Sequence, residues 1–222
     1  FGLSNVYYYS SSNYFTEAAA YQPLLMTWSL GVEEQFYLVY PMLLMLLARL
    51  SRPRQLLALT AITLISLGLS IWSTQTHPTA AFYLLPSRAW ELGIGCLLAL
   101  SWDEMQVLMQ RRYLADGLGV AGALMVLAAI ACFGGTTDFP GWAALLPVTG
   151  TAFLVATPSG LVNRLLLSSR PAVFVGLLSY SWYLWHWPLM SFARIASSRP
   201  LGAALRSLLA LLGLAADYAS RH

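Results

Sequence analysis

Long apolar runs constrain this chain more than any other feature. Gln55–Trp72, QLLALTAITLISLGLSIW, contains no charged residue, and similar runs recur to the C-terminus. A hydrocarbon core about 30 Å thick is crossed by about 20 apolar residues in a helix. A helix also satisfies its own backbone polar groups where no water is available. The chain has 58% hydrophobic and 9% charged residues, with mean hydropathy +0.64. Soluble domains carry roughly 25% charged residues, so composition excludes a soluble domain. The predicted fold class is all-α, a polytopic transmembrane bundle forming one domain over residues 1–222.

Hydropathy predicts about seven spans. They are Ser29–Leu50, Gln55–Trp72, Ala81–Trp102, Leu114–Phe133, Gly141–Thr157, Ala172–Ile195 and Leu201–Ala216. The basic residues are all arginine. Arg49, Arg52 and Arg54 follow the first span, Arg111 and Arg112 the third, and Arg164 and Arg170 the fifth. The alternate loops, Ser73–Thr79 and Gly134–Pro140, contain none. The positive-inside rule puts the arginine loops in the cytoplasm. Arg194 and Arg199 break the pattern and read as interfacial anchors. The net charge of +3 is spread between segments, so it bears on orientation and not on nucleic acid. An external N-terminus, with Phe1 in place of an initiator Met, leads us to expect further spans upstream.

WSLGVEEQFYLVYP, Trp28–Pro41, puts Glu33 and Glu34 at the mouth of the first span. A carboxylate there costs several kcal/mol unless paired, hydrated or protonated. At about 100° per residue, Ser29, Glu33, Tyr37 and Tyr40 fall on one face, with Glu34 about 100° from Glu33. Glu33 is therefore expected to point inward, with the two tyrosines as candidate partners. In the third span Arg88 and Glu91 are spaced i, i+3. Two arrangements stay open: a self-neutralised Arg88–Glu91 pair, or a Glu33–Arg88–Glu91 network lining a polar cavity. In the sixth span Gly176, Ser179, Tyr183, His186 and Met190 share a face. Pro188 removes a backbone donor, so a bend is expected beside His186. His186 suits a substrate cavity, or is a histidine satisfied by a neighbouring helix. Cys96 and Cys132 read as buried, inert thiols. The sequence shows no GxSxG, P-loop, GxGxxG or metal-ligand cluster.

Three segments together resemble the acyltransferase-3 family of membrane acyltransferases. They are PLLMTWSLGVEEQFYLVYP (Pro23–Pro41), PSRAWELGIGCLLAL (Pro86–Leu100) and VGLLSYSWYLWHWPL (Val175–Leu189), the last like that family's SYxxYLxHxP signature. The resemblance covers nearly the whole chain and implies a bundle of about ten helices. It implies transfer of an acyl group, acetyl above all, from acyl-CoA to a hydroxyl of a cell-surface glycan or lipopolysaccharide sugar. No bound cofactor is implied; acyl-CoA is the donor substrate, and the partners are the glycan acceptor and the lipid bilayer. The location implied is the bacterial inner (cytoplasmic) membrane.

Glu33, Glu34 and His186 are then the catalytic candidates, and Arg88, Glu91, Tyr37, Ser179 and Tyr183 the substrate-binding ones. Departures from the pattern are specific. The family's first helix carries an Arg and a His, the latter its presumed general base, and this chain has no counterpart. Met26 stands where the family often has His, and the C-terminal ADYASRH preserves only Tyr218 of the family's final pattern. The expectation is a C-terminal portion of such an enzyme, inactive alone. A glycan or acyl-carrier transporter and an inactive truncated product are the alternatives.

Overall fold

The computed structural model describes residues 2–11, 21–197 and 202. Among them the secondary structure is helical, with no strand. Two compact units divide the chain, Phe1–Glu33 with Arg170–His222, and Glu34–Ser169.

The first unit holds α1 (Ser4–Ser11), the start of α2 (Thr27–Leu47) and α9 (Arg170–Ala196). Helix α1 was not expected from hydropathy. Ser4 Oγ fastens it by donating to the Thr27 carbonyl at 2.7 Å, and Asn5 is fully buried. Helix α9 is tied to the segment entering α2. Tyr183 Oη donates to the Met26 carbonyl at 2.9 Å, and Trp187 Nε1 to the Gln22 carbonyl at 2.9 Å. Helix α9 runs on through Pro188. The Arg194 guanidinium lies 5.8 Å from the Trp187 ring centre, a cation–π contact that anchors it. Arg199, the seventh predicted span and Tyr218 lie outside the described residues.

The second unit contains α3 (Arg52–Thr76), α4 (Pro78–Tyr83), α5 (Leu85–Leu100), α6 (Trp102–Met109), α7 (Arg112–Cys132) and α8 (Leu145–Ala156), then a π-helical turn at Asn163–Leu167. Helix α3 packs on α5, and α7 on α8. Ser66 on α3 locks the first turn of α5. Its hydroxyl donates to the Pro86 carbonyl at 2.6 Å and accepts the Trp90 amide at 3.0 Å. One hydroxyl thus serves both backbone groups that face each other across that turn.

Helices α7 and α8 meet at glycine. A Cβ on Gly122 would sit 2.6 Å from the Gly150 carbonyl oxygen, and one on Gly150 2.8 Å from that of Gly122. Backbone cannot yield as a side chain can, so the helices would have to separate. Gly122→Val is expected to destabilise the protein by about 1–3 kcal/mol. A thermal melt in nanodiscs checks this, and an unchanged midpoint would refute the close approach.

By length and apolarity Thr27–Leu47, Arg52–Thr76 and Arg112–Cys132 qualify as spans; Pro78–Leu100 with Trp102–Met109, bent by 72°, makes up to four. The third predicted span is broken. Pro86 has no N–H to donate to the Phe82 carbonyl, so α4 ends and Leu84 turns extended before α5 begins. The fifth shortens to the twelve residues of α8, because Pro140 and Gly141, the latter at φ 35°, hold the preceding segment in turns. Cys132, at the end of α7, is exposed and not buried; Cys96 is half-buried.

The arginine-bearing connections of the second unit share one end. Arg52 Nη2 donates to the Leu100 carbonyl (2.6 Å) and to Glu104 (3.1 Å). Gln106 reaches the Ala156 carbonyl, and Asp116 accepts from the Leu161 amide.

Candidate functional site

In the first unit the candidate chemistry sits on α9 and the start of α2. His186 is half-buried between the rings of Trp182 and Tyr183, with centroids at 6.4 and 6.0 Å. Its Nδ1 lies 3.0 Å from the Trp182 carbonyl. A carbonyl only accepts, so Nδ1 must carry the hydrogen, and in the neutral ring the lone pair falls on Nε2. Among the described residues Nε2 has no polar partner. The imidazole is thus oriented by its own helix with its basic nitrogen free.

Tyr183 is held at its tip. Its hydroxyl donates to the Met26 carbonyl at 2.9 Å and lies 2.8 Å from Ser29 Oγ, a bond in which either hydroxyl can be the donor. Ser179 is exposed, and its hydroxyl returns to the Gly176 carbonyl at 2.7 Å, as serines in helices commonly do. Glu33 is half-buried and Glu34 exposed, the order expected from the helical wheel.

Tyr37 falls elsewhere. Trp28, Val32 and Phe36 form the buried stripe of α2, and Tyr37, about 100° on from Phe36, is 63% exposed. Tyr40 takes the inward position, half-buried and stacked on Phe36 at 5.1 Å.

In the second unit Arg88 and Glu91 form the self-neutralised pair. Arg88 Nη2 stands 3.1 Å from Glu91 Oε2, with side-chain exposures of 15% and 20%. Phe82 and Phe139 flank the guanidinium at 5.7 and 5.6 Å. These contacts place Arg88 at the end of the second unit away from its arginine loops. The other Glu91 oxygen, Oε1, is buried with no hydrogen-bond partner among the described residues. Glu91 also lines a groove of about 270 Å³ between α5 and α8, bounded by Ile94, Leu98, Pro147, Val148 and Thr151. The walls of the groove are mostly apolar, with Glu91 at its edge. Glu33 belongs to the first compact unit, and this pair to the second.

The arginine loops, which the sequence marks only for topology, also frame a cavity in the second unit. Gln106, Gln110, Arg112, Ser159 and Arg164 border a polar cavity of about 580 Å³. The sequence signal was the arginine pattern itself, but nothing in it showed that α6 and the turn after α8 come together.

The Acyltransferase domain family model matches residues 1–216. The chain is similar to O-acetyltransferase OatA of Staphylococcus aureus, 29% identical over 204 residues, covering 86% of this chain and 34% of that protein. It is similar to the putative membrane-bound transacylase BcsY of Komagataeibacter xylinus, 30% identical over 186 residues, 84% of this chain and 46% of that one. Peptidoglycan O-acetyltransferase OatA of Listeria monocytogenes is 29% identical over 209 residues, 86% of this chain and 33% of the relative. The chain therefore spans less than half the length of each of these relatives. No solved structure matches it. Apolar helices of bilayer length, the α2 and α9 motifs and a match along almost the whole chain agree: this integral membrane protein belongs to the acyltransferase-3 family.

Proposed function

We propose that the protein moves an acyl group, acetyl first among candidates, from acyl-CoA to a hydroxyl of a cell-envelope glycan across the bacterial inner membrane. The observation that carries this reading is the Nε2 of His186, without a polar partner among the described residues, within a family match that runs from residue 1 to 216. Peptidoglycan is the first acceptor to try, because one relative is named for it; a lipopolysaccharide sugar is the next.

The transfer forms one ester bond and breaks one thioester bond. The acceptor oxygen attacks the thioester carbonyl, the carbonyl oxygen becomes an oxyanion, and the thiolate leaves. The hydroxyl proton ends on the departing sulfur. The first-helix His that the resemblance implies as general base has no counterpart in this chain, and His186 Nε2 is assigned here to accept that proton and return it. Glu33, with Glu34 beside it in sequence, shapes the polar face of α2, and Tyr183 holds α9 to the α2 entry. Arg88 and Glu91 are assigned to substrate binding in the second unit, where Glu91 borders the groove between α5 and α8.

Membrane vesicles supplied with acetyl-labelled acetyl-CoA provide the test. Label should appear as base-labile ester in the glycan fraction, with free CoA released in equal amount. Label that crosses the membrane with its thioester intact would instead identify a transporter.

A further inference from the structure

The cavity at the arginine-bearing end of the second unit is not used by the chemistry above. We propose that it is a binding site for a phosphate-bearing anion, built from the two guanidinium groups of Arg112 and Arg164 with the amides of Gln106 and Gln110 and the Ser159 hydroxyl. Its volume of about 580 Å³ falls within the range of about 300–1,000 Å³ usual for ligand sites. Its lining is donor-rich and contains no carboxylate.

The charges there are unspent. Arg52 and Arg88 each have a carboxylate at 3.1 Å. Arg164 has no acidic partner among the described residues, and Arg112 has only Asp116, with Oδ2 at 3.9 Å. The other oxygen of Asp116 accepts the Leu161 amide at 2.7 Å, which commits that carboxylate to the loop. Helix α7 starts at Arg112, so its unbonded N–H groups add positive potential at the same end. Arginine forks suit phosphate oxygens, which accept two parallel hydrogen bonds from one guanidinium. A donor-rich cavity with two under-paired arginines is a poor place for a neutral ligand and a good one for phosphate.

Two sources carry this chemistry at that face: the phosphates of a coenzyme A donor, and the headgroup of an anionic phospholipid. The choice of coenzyme A as first probe rests on the donor named under the proposed function; the anion site itself does not.

The protein is placed in phosphatidylcholine nanodiscs and dialysed against labelled coenzyme A, with no acceptor present. Saturable binding is expected, weakened about tenfold by Arg164→Gln and by Arg112→Gln, the loss of one charge-assisted hydrogen bond each. Arg164→Lys should retain part of the affinity. Both arginines are exposed, and a melt confirms that the variants fold. In a second arm the nanodiscs contain phosphatidylglycerol, and lipid retained by the protein is counted by native mass spectrometry. Arginine-dependent lipid retention without coenzyme A binding would keep the phosphate site and assign it to lipid. Wild type binding neither probe, or the double variant binding both as tightly as wild type, would overturn the proposal. Neither arm measures transfer. Arginine-dependent coenzyme A binding in a protein that acylates nothing would therefore sink the proposed function alone.

Discussion

Arg88→Met is expected to destabilise the protein by about 3–5 kcal/mol, because it leaves Glu91 buried without its counter-charge. The pair is short, mostly hidden and closed in by two phenylalanine rings, so little water reaches the orphaned carboxylate. Removing both charges should cost far less. The double variant Arg88→Met/Glu91→Leu fills a similar volume with apolar atoms, and such replacements are often neutral or stabilising. Thermal melts of the single and double variants in nanodiscs measure this directly. A single variant as stable as wild type would contradict the buried pair. Labelled transfer then separates structure from function. If the pair only holds α5 in the bilayer, the double variant regains activity along with stability. If Arg88 and Glu91 bind substrate, it regains stability and stays inactive.

Some of this was legible in residue spacing. An i, i+3 Arg–Glu pair meets on one helix whatever the tertiary structure, so Arg88–Glu91 was readable, whereas a partner from another helix was not. Helices α2, α3 and α7 followed from apolar length alone. Breaks followed from local backbone chemistry that a hydropathy window averages away: Pro86 split the third run, and Pro140 with Gly141 shortened the fifth. Tyr37 shows a different failure. Choosing the polar face of α2 as the interior ignored the competing apolar stripe of Trp28, Val32 and Phe36, which is the face actually buried. A face holding both Glu33 and Tyr40 lies next to that stripe, and Tyr37 lies just beyond it. Ser66 and the Arg112–Arg164 cavity were invisible for a common reason. Each acts only through residues far off in sequence, Pro86 and Trp90 for Ser66, and α6 with the turn after α8 for the cavity.

His186→Asn is expected to lower acyl transfer to a hydroxyl acceptor by about 10²–10⁴-fold, the usual contribution of a positioned proton acceptor. The argument starts from the Trp182 carbonyl. By fixing Nδ1 as the donor, it leaves Nε2 as the ring's single basic position, and no side chain among the described residues occupies it. Asparagine keeps a polar side chain on the helix but has no basic nitrogen. Helix α9 does not depend on His186 for its attachment, since Tyr183 and Trp187 make the bonds to Met26 and Gln22. The variant should therefore melt like wild type, with kcat reduced and KM for acetyl-CoA little changed. A structural role would give the same loss of kcat only if α9 loosened, and the melt would report it. Hydroxylamine makes the distinction sharper. Its nitrogen carries a free lone pair at neutral pH and attacks a thioester without first giving up a proton. Enzyme-dependent hydroxamate formation should thus fall far less than glycan acylation in His186→Asn. Equal losses with both nucleophiles would assign His186 to the architecture of α9 and leave the proton to another group.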